Sequence, residues 1–189
     1  LPILEITDHM GKILQYSLRA PDKVTLRDEL EIVTHYLGII DIRYDNLFHW
    51  EIDVDEALYD QLLPKMTLQP LVENAVYHGL EKKGSGAIML SASEEKGQVI
   101  LQIWDNGTGI EASKLTELQT ILADQDALYK ASLVTKRIGL ANSALRIKNL
   151  LGEKSGIRVE STPDAGTTVT IFLKKWDYML SKNRTHETA

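Results

Sequence analysis

The chain has 189 residues, of which 43% are hydrophobic and 25% are charged, and its formal net charge is −6. This length suits one globular domain, or one domain with an appended segment. The acidic balance and the lack of a long basic run argue against a dedicated nucleic-acid binder. The sequence contains no cysteine, which excludes disulfides, thiolate nucleophiles and cysteine-ligated zinc and fits a reducing compartment.

Membrane and targeting signals are absent from the sequence. No apolar run approaches the roughly 20 residues that a membrane-spanning helix needs, and no stretch has the pattern of a secretory signal peptide. We therefore expect no direct membrane contact by this chain. Its first residues, LPILEI, include no initiator methionine, so we expect it to be part of a longer protein.

The first predicted element is an amphipathic helix over residues 3–18. A second helix is predicted from Thr25 to about Tyr44, with Asp28 completing a variant of the capping box. Because a short amphipathic helix cannot bury its stripe alone, residues 1–22 are interpreted as a separate element that pairs with another helix. The stripe on the first helix recurs at helical spacing and consists of Ile3, Ile6, Met10, Ile13, Leu14 and Leu18.

The rest of the chain alternates strands and helices. LFHWEIDV predicts a strand, and residues 67–80 predict a helix. Two hairpins follow, one formed by AIMLSAS and QVILQIW around EEKG, the other by IRVES and TTVTIFL around TPDAG. Between the hairpins we predict helices near 111–123 and over 140–151, the latter ending at Gly152. Residues 124–138 show little apolar periodicity.

Hairpin-paired strands with intervening helices predict an α+β fold. It would be a two-layer α/β sandwich, with a mixed, mostly antiparallel sheet covered by helices on one face and an additional N-terminal helix. Repeated βαβ units are absent, which argues against a Rossmann-type sheet. The main domain is expected to span residues 23–176, and the polar tail, residues 177–189, is expected to fray.

The helix LQPLVENAVYHGL combines a core stripe with a polar face. Asn74, Tyr77, His78 and Glu81 share helical spacing, and Asn74 and His78 border the apolar stripe. A polar pair at the edge of a stripe can line a cleft, but a surface asparagine and a boundary histidine give the same pattern. The stripe itself comprises Leu68, Leu71, Val72, Ala75, Val76 and Gly79.

The segment DNGTGI follows an apolar strand. A calcium loop would need alternating acids and a bidentate glutamate, which are missing. NG is typical of a hairpin turn, but the residues after it, EASKLTELQTIL, predict a helix rather than a return strand. The other interpretation is a ligand site. Asp105 would then be a buried acceptor for an amino group, while Gly107 and Gly109 allow close backbone approach and movement of the following segment.

Two further features are weaker when taken singly. Gly139 precedes a helix N-terminus, where free N–H groups and the helix dipole favour phosphate, and Lys136 and Arg137 add positive charge. Thr167 opens the last strand with its hydroxyl on the apolar face. A hydroxyl there needs a partner, which would be a ligand or the neighbouring backbone.

The order of these features resembles the Bergerat ATP-binding fold of histidine kinases, type II topoisomerases and MutL. LQPLVENAVYHGL resembles the N box of that fold, DNGTGI its first glycine box and RIGLANS its second. Together with YSL and VTLRDELEIVTHYLGIIDIRY, the N box is similar to that of the LytS/YehU-type sensor histidine kinases. The resemblance covers about residues 10–174. It implies a cytoplasmic ATP-binding catalytic domain, preceded by the end of a dimerisation helix, of a bacterial plasma-membrane protein.

This resemblance implies roles for the adenine end of the site. Asp105 would accept a hydrogen bond from the adenine amino group, and Gly107 and Gly109 match the two glycines of the first box. Thr167 would help to hold the adenine edge. Residues 111–138 would form the mobile ATP lid, as expected for a segment of low stability.

It also implies roles for the phosphate end. Asn74 would coordinate a Mg²⁺ ion that bridges the ATP phosphates, and His78 would lie near them. Gly139 and Leu140 match the phosphate-binding turn, and Asn142 is a weaker candidate for the same role.

Two positions depart from the family pattern. Tyr77 stands where the subfamily commonly has lysine, and Arg137 replaces the first glycine of the second box. Arg137 could clamp an ATP phosphate, or it could stiffen the turn and weaken ATP binding. The two departures together favour, as the alternative, a degenerate nucleotide-sensing module without transfer activity. A serine kinase of the anti-sigma type on the same fold is a further alternative, against which the helix at residues 3–18 argues. Glu73 is not assigned as a general base, because the related ATPases carry their base at the position of Pro70.

The resemblance implies a reaction and its partners. The γ-phosphoryl group of ATP would pass to a histidine in a PHFLYN-like segment upstream of this chain and then to a response regulator, within a homodimeric full-length protein. The sequence contains no such segment, so no catalytic residue is assigned within it. His9 lies in the wrong context to be the acceptor, and His35 and His49 are interpreted as surface residues of a helix and a strand.

Overall fold

The computed structural model describes residues 2–133 and 138–176. The helices are α1 (Pro2–Arg19), α2 (Leu26–Arg43), α3 (Leu68–Asn74), α4 (Glu81–Lys83), α5 (Ala112–Ala123), α6 (Gln125–Ser132) and α7 (Ile138–Leu151). The strands are β1 (Lys23–Thr25), β2 (Phe48–Val54), β3 (Leu62–Pro64), β4 (Gly86–Glu95), β5 (Gln98–Asp105), β6 (Gly156–Thr162) and β7 (Gly166–Lys174). A 3₁₀ turn covers Glu56–Leu58, and a π-helical segment, Ala75–Leu80, joins α3 to α4.

The main sheet has five strands in the order β2–β4–β5–β7–β6. β2 runs parallel to β4, and the other three neighbouring pairs are antiparallel. Along β5 the side chains of Val99, Leu101, Ile103 and Asp105 are buried, whereas Gln102 and Trp104 on the opposite face are exposed. This alternation confirms the predicted α+β fold, with a mixed sheet that helices cover on one face.

A capping box and a short two-stranded ribbon fix the path of the chain near the N-terminus. Thr25 caps α2, because its hydroxyl accepts from the Asp28 N–H at 3.2 Å while the Asp28 carboxylate accepts from the Thr25 N–H at 2.9 Å. β1 pairs with β3 in a separate two-stranded ribbon. The sequence pattern did not predict this ribbon, because three-residue strands are too short to show alternation.

Helix α1 lies against α2 and leaves most of its apolar stripe exposed. Within the described chain none of its side chains is fully buried. The contact with α2 includes His35, whose Nδ1 lies 3.1 Å from Nδ1 of His9. The expectation that His35 is a surface residue is therefore wrong, whereas His49 on β2 is exposed. Ile6 and Ile13 of the stripe are half-buried, whereas four other members and the adjacent Leu4 are 57–75% exposed; the four are Ile3, Met10, Leu14 and Leu18. Within residues 2–133 and 138–176, every helix falls short of the length and apolar content that a membrane span requires.

The segment of low periodicity contains a helix that the sequence pattern missed. α6 begins where the Asp124 carboxylate accepts from the Ala127 N–H at 2.6 Å, and Leu128 within it is fully buried. A single buried leucine anchors this short helix, so it has no apolar stripe for a periodicity search to find. Residues 134–137 and the predicted tail, residues 177–189, lie outside the described residues.

The capping box at α2 gives a stability prediction. Thr25→Ala removes the side-chain acceptor for the Asp28 N–H, so we expect the free energy of unfolding to fall by about 1 kcal/mol. Thr7→Ala is the matched control, because Thr7 is exposed and its hydroxyl bonds only within α1, to the Leu4 carbonyl. Urea denaturation followed by far-UV circular dichroism compares the two variants. Equal losses of stability would contradict the assigned cap.

Candidate functional site

One cavity of about 540 Å³ lies between the helical segment 68–83, the sheet and helices α5 to α7. Its volume is in the range of small-molecule sites. The floor and one wall are apolar and include Leu71, Ala75, Ile103, Val159 and Val169. The cavity therefore offers a largely apolar compartment with a few polar groups at defined places.

The cavity collects most of the site residues that the sequence predicted. Gly107 supports Asp105 from outside the lining, Asn142 is half-buried on α7 and also outside it, and Arg137 lies outside the described residues. Those that line the cavity are Asn74, His78, Asp105, Gly109, Gly139, Leu140 and Thr167. Segments up to 93 positions apart in the chain, counted from Asn74 to Thr167, thus meet at one compartment.

Asp105 is the buried carboxylate of the cavity, with 4% of its surface exposed. It ends β5, where it stands opposite Thr167 of β7 in the sheet register. The Gly107 N–H donates to its Oδ1 at 2.8 Å, and the Thr167 N–H also donates to the carboxylate. Burial raises the pKa of Asp105, and these two bonds and the Lys83 charge oppose the rise. A carboxylate has about four acceptor positions, so capacity remains for a ligand donor.

The π-helical segment ties the DNGTGI turn to the helix beneath it. The carbonyl of Gly79 accepts from the Thr108 N–H at 3.2 Å, and the carbonyl of His78 accepts from the Thr108 hydroxyl at 3.0 Å. π-helical turns are rare and recur at functional sites. The helix therefore holds the turn through backbone carbonyls, a role that side-chain patterns in the sequence do not reveal.

Close backbone contact explains two glycines at this junction. A Cβ on Gly107 would lie 2.3 Å from Cα of Gly79, and a Cβ on Gly79 would lie 2.7 Å from Asp105 Oδ1. No side chain fits either position without displacing a neighbour. Gly79 is thus part of the site's support, although the sequence pattern had placed it only in the core stripe.

The turn after β5 does not continue as a hairpin. Gly109 takes a positive φ of +67°, and a Cβ there would lie 2.1 Å from the Thr162 carbonyl oxygen. The Thr108 carbonyl accepts from the Asp164 N–H at 2.8 Å, so the turn is bound to the β6–β7 connection. Helix α5 then follows instead of a return strand, which removes the hairpin interpretation. That the glycines allow the next segment to move stays a prediction.

Ser161 of β6 connects the turn to the last strand. Its hydroxyl accepts from the Ile110 N–H at 2.9 Å and lies 2.8 Å from the Gly166 carbonyl oxygen. It also lies 3.0 Å from the Thr167 hydroxyl. The partner of Thr167 is therefore a side chain, not the neighbouring backbone that the sequence offered as the alternative to a ligand. The sequence pattern did not indicate Ser161, because a serine at a polar position of an alternating strand is expected to face solvent.

Asn74 faces the start of α7 across the cavity. A Cβ on Gly139 would lie 3.5 Å from the Asn74 side-chain nitrogen. The side chain of Asn74 is half-buried at the end of α3, and exposed His78 follows one turn later at the same cavity. The first turn of α7 has backbone N–H groups without helical partners and the positive end of the helix dipole. This side of the cavity is suited to an anionic group.

A divalent cation would need ligands beyond the protein. Within residues 2–133 and 138–176 no group of three or more histidines and acids is arranged to hold a metal ion. Mg²⁺ is commonly bound by one or two protein oxygens together with phosphate oxygens and water. Asn74 lines the same cavity as the start of α7, and its amide oxygen is a ligand type that suits such a partial set.

The predicted polar face of the helix divides in two. Asn74 and His78 line the cavity, whereas the Tyr77 hydroxyl accepts from Arg43 at 3.2 Å and Glu81 accepts from the Tyr44 hydroxyl at 2.7 Å, both on the side of α2. The wider turn of the π segment separates positions that ideal α-helical spacing would group. Tyr77 therefore contributes to the contact with α2 instead of the cavity.

Helix α5, which the sequence predicted near 111–123, and helix α6 together supply a wall of the cavity. Leu118 and Ile121 of α5 and Ala131 of α6 contribute apolar surface, and Lys114 and Glu117 add charge at the rim. A weak stripe of Leu115, Leu118 and Leu122 was the available signal for this packing. The mobility of this segment stays a prediction.

Comparison with protein families places the chain among known sequences. A model of the family described as histidine kinase-, DNA gyrase B-, and HSP90-like ATPase matches residues 59–177, and a histidine kinase model matches residues 2–48. Sensor histidine kinase YesM of Bacillus subtilis is 32% identical over 90% of this chain and 27% of its own length. Protein YwpD of Bacillus subtilis, described as putative and uncharacterized, is 34% identical over 89% of this chain and 58% of its own length.

Solved structures show the same fold. The catalytic domain of histidine kinase ThkA has a TM-score of 0.56 at 18% identity, covering 81% of this chain and 94% of that domain. ThkA in complex with the response regulator protein TrrA has a TM-score of 0.54 at 20% identity, covering 92% of this chain and 48% of that chain. The chain spans between about a quarter and three fifths of the length of its curated relatives, 27% for YesM and 58% for YwpD.

The contact between Gly79 and Asp105 gives a prediction about the support of the site. In Gly79→Ala the added methyl meets a carboxylate that two backbone N–H groups hold in place, so we expect a loss of about 1–3 kcal/mol in unfolding free energy. Gly11→Ala is the matched helical control, because nothing lies within 4 Å of its added Cβ. It should gain up to about 1 kcal/mol. Denaturant unfolding of both variants measures this, and a neutral Gly79→Ala would contradict the described packing.

Proposed function

Because the chain belongs to the histidine kinase-, DNA gyrase B-, and HSP90-like ATPase family, we propose that it is the ATP-binding catalytic domain of a two-component sensor histidine kinase. The observation that carries this proposal is the placement of Asp105. A buried carboxylate at one end of an apolar cavity and a helix N-terminus at another match the two ends of a nucleotide.

Adenine would lie against the apolar floor with its amino group directed at Asp105. The carboxylate is pre-oriented by the N–H groups of Gly107 and Thr167, so binding requires little rearrangement. Ile103 and Val169 offer apolar surface to the ring. The hydroxyl pair of Ser161 and Thr167 fixes the strand edge beside it.

The phosphates would lie at the N-terminus of α7. Gly139 and Leu140 present backbone there, and Lys114 contributes a positive charge at the rim. Asn74 would hold Mg²⁺ together with the phosphate oxygens, and the ion would neutralise charge on the transferred group. His78, at the same cavity, would contact the phosphate side.

Phosphoryl transfer on this domain would depend on positioning rather than on a protein nucleophile. The acceptor is a histidine expected in a segment upstream of this chain, and the next acceptor is a response regulator. The histidine kinase match over residues 2–48 and the ThkA–TrrA complex support this sequence of partners. We also propose that the full-length protein is a homodimer joined through α1 and that this domain works on the cytoplasmic side of a membrane sensor.

The site predicts that two single substitutions remove nucleotide binding from a folded domain. Asp105→Asn presents a donor to the adenine amino group, and Asn74→Ala removes the amide ligand, so each should weaken binding of ATP with Mg²⁺ by about 10-fold or more. Isothermal titration calorimetry measures the affinity. Asp53→Asn on the exposed face of β2 is the control and should bind normally. Unchanged affinity in both site variants would contradict the assignment.

The same Asp105 variant should not lose stability. A carboxyl group whose pKa is raised in the folded state opposes folding increasingly as the pH rises through its unfolded pKa, and the penalty is complete once the pH exceeds the folded pKa. An uncharged amide of the same shape avoids the penalty, so urea unfolding at pH 7 should give Asp105→Asn at least the stability of the parent. At a pH below the unfolded value this advantage should vanish.

Transfer itself is tested with the acceptor supplied separately. The full chain is incubated with γ-labelled ATP, Mg²⁺ and a fragment of a related kinase that carries the acceptor histidine. We expect label on that fragment that is stable to base and lost in acid, and no label with Asn74→Ala. Binding of ATP without any labelling would favour a nucleotide-sensing module.

A further inference from the structure

The start of α3 is capped by a side chain from another helix. Glu29 of α2 has 1% of its surface exposed. Its Oε2 accepts from the N–H groups of Thr67 and Leu68 at 2.7 and 2.8 Å, and its Oε1 accepts from the Met66 N–H at 2.6 Å. The Thr67 hydroxyl donates to the Pro64 carbonyl at 2.5 Å. The carboxylate therefore binds the backbone N–H groups at the start of α3, where the N-cap residue Thr67 makes no side-chain cap bond.

The same carboxylate also contacts α1. The Tyr16 hydroxyl donates to Glu29 Oε1 at 2.5 Å, so the group accepts four hydrogen bonds from three elements. Burial raises the pKa of Glu29, and the Tyr16 and backbone hydrogen bonds oppose that rise. A charge without these donors would be costly to bury. The Tyr16 hydroxyl thus helps to stabilise the buried Glu29 carboxylate at the start of α3.

The loop before α3 is held from two other sides as well. The Lys65 ammonium donates to the Ala20 carbonyl just after α1 at 2.8 Å, and the Arg146 guanidinium of α7 donates to the Lys65 carbonyl. From Leu68 the helix runs without interruption to Asn74, and Leu68, Leu71 and Val72 are almost fully buried along it. A displacement at its first turn is therefore carried to Asn74 by a packed helix.

We propose that Glu29 is a positioning residue that transmits the placement of α1 to Asn74, through its hydrogen bonds to Tyr16 and to the first N–H groups of α3. The inference rests on the proposed function in that Asn74 belongs to the nucleotide site. By linkage, nucleotide binding at Asn74 also biases the contact between Tyr16 and Glu29. The coupled groups are one hydroxyl, one carboxylate and one helix.

The first test needs no nucleotide. In ¹⁵N spectra of the full chain, Tyr16→Phe should shift the backbone amide signals of residues 66–68 and the side-chain amide signal of Asn74. Tyr59→Phe is the control, because the Tyr59 ring lies under the Arg27 guanidinium, with 4.6 Å between the guanidinium carbon and the ring centroid, and the hydrogen bonds of Glu29 go to Tyr16 and residues 66–68 instead. It should leave those signals in place. Shifts that stop at residues 66–68 and spare Asn74 would overturn the proposal.

The second test measures affinity. Tyr16→Phe should raise the dissociation constant for ATP with Mg²⁺ about threefold, the effect of one net hydrogen bond, whereas Tyr59→Phe should not change it. In the Glu29→Gln background, Tyr16→Phe should have no further effect, because both changes act on one contact. If Tyr16 had only a structural role, Tyr16→Phe would lower the melting temperature and leave the affinity of the folded protein for ATP unchanged, and that result would overturn the proposal.

The outcomes separate this inference from the proposed function. If the parent chain binds ATP and Tyr16→Phe binds equally well, the coupling is wrong and the function stands. If the parent chain does not bind ATP, the function is wrong, and the Asn74 signal in the spectra still decides the coupling. Should Glu29→Gln fail to fold, Tyr16→Phe alone carries both measurements, since it leaves the three backbone bonds of the cap intact.

Discussion

The site depends on the close approach of one helix to the end of one strand. Gly79 and Gly107 bring two backbones together without intervening side chains, and Asp105 is enclosed at that contact. The position of the carboxylate, the course of the DNGTGI turn and the start of α5 all follow from it. Because backbone atoms at such distances leave no room for repacking, the geometry tolerates little variation.

Much of the fold was predictable because its signals are local. The capping box at Thr25 and Asp28, the two hairpins and the alternating faces of β5 and β7 each lie within a few residues of sequence. The resemblance to sensor histidine kinases, which depended on the order of four motifs, is confirmed by the family matches and by relatives such as YesM. Motif order constrains a fold more than any single motif does.

The parts that escaped prediction depend on distant contacts or on irregular backbone. Glu29 caps a helix that begins 39 positions later, which no local pattern can indicate. The π segment leaves the apolar stripe intact but turns Tyr77 toward Arg43, and ideal periodicity cannot anticipate that change. Helix α6 is stabilised by one buried leucine and one cap, too few residues to form a stripe.

The exposed apolar side chains of α1 have a consequence for how the chain behaves in solution. Five large apolar side chains on one helix, each more than half exposed, form a patch that water solvates poorly. If α1 pairs with a second copy through these side chains, as proposed above, that pairing is governed by mass action. The proposed pairing would then act on the helix that carries Tyr16, and so on the hydrogen bond between Tyr16 and Glu29. Under that proposal, dilution would itself perturb the domain.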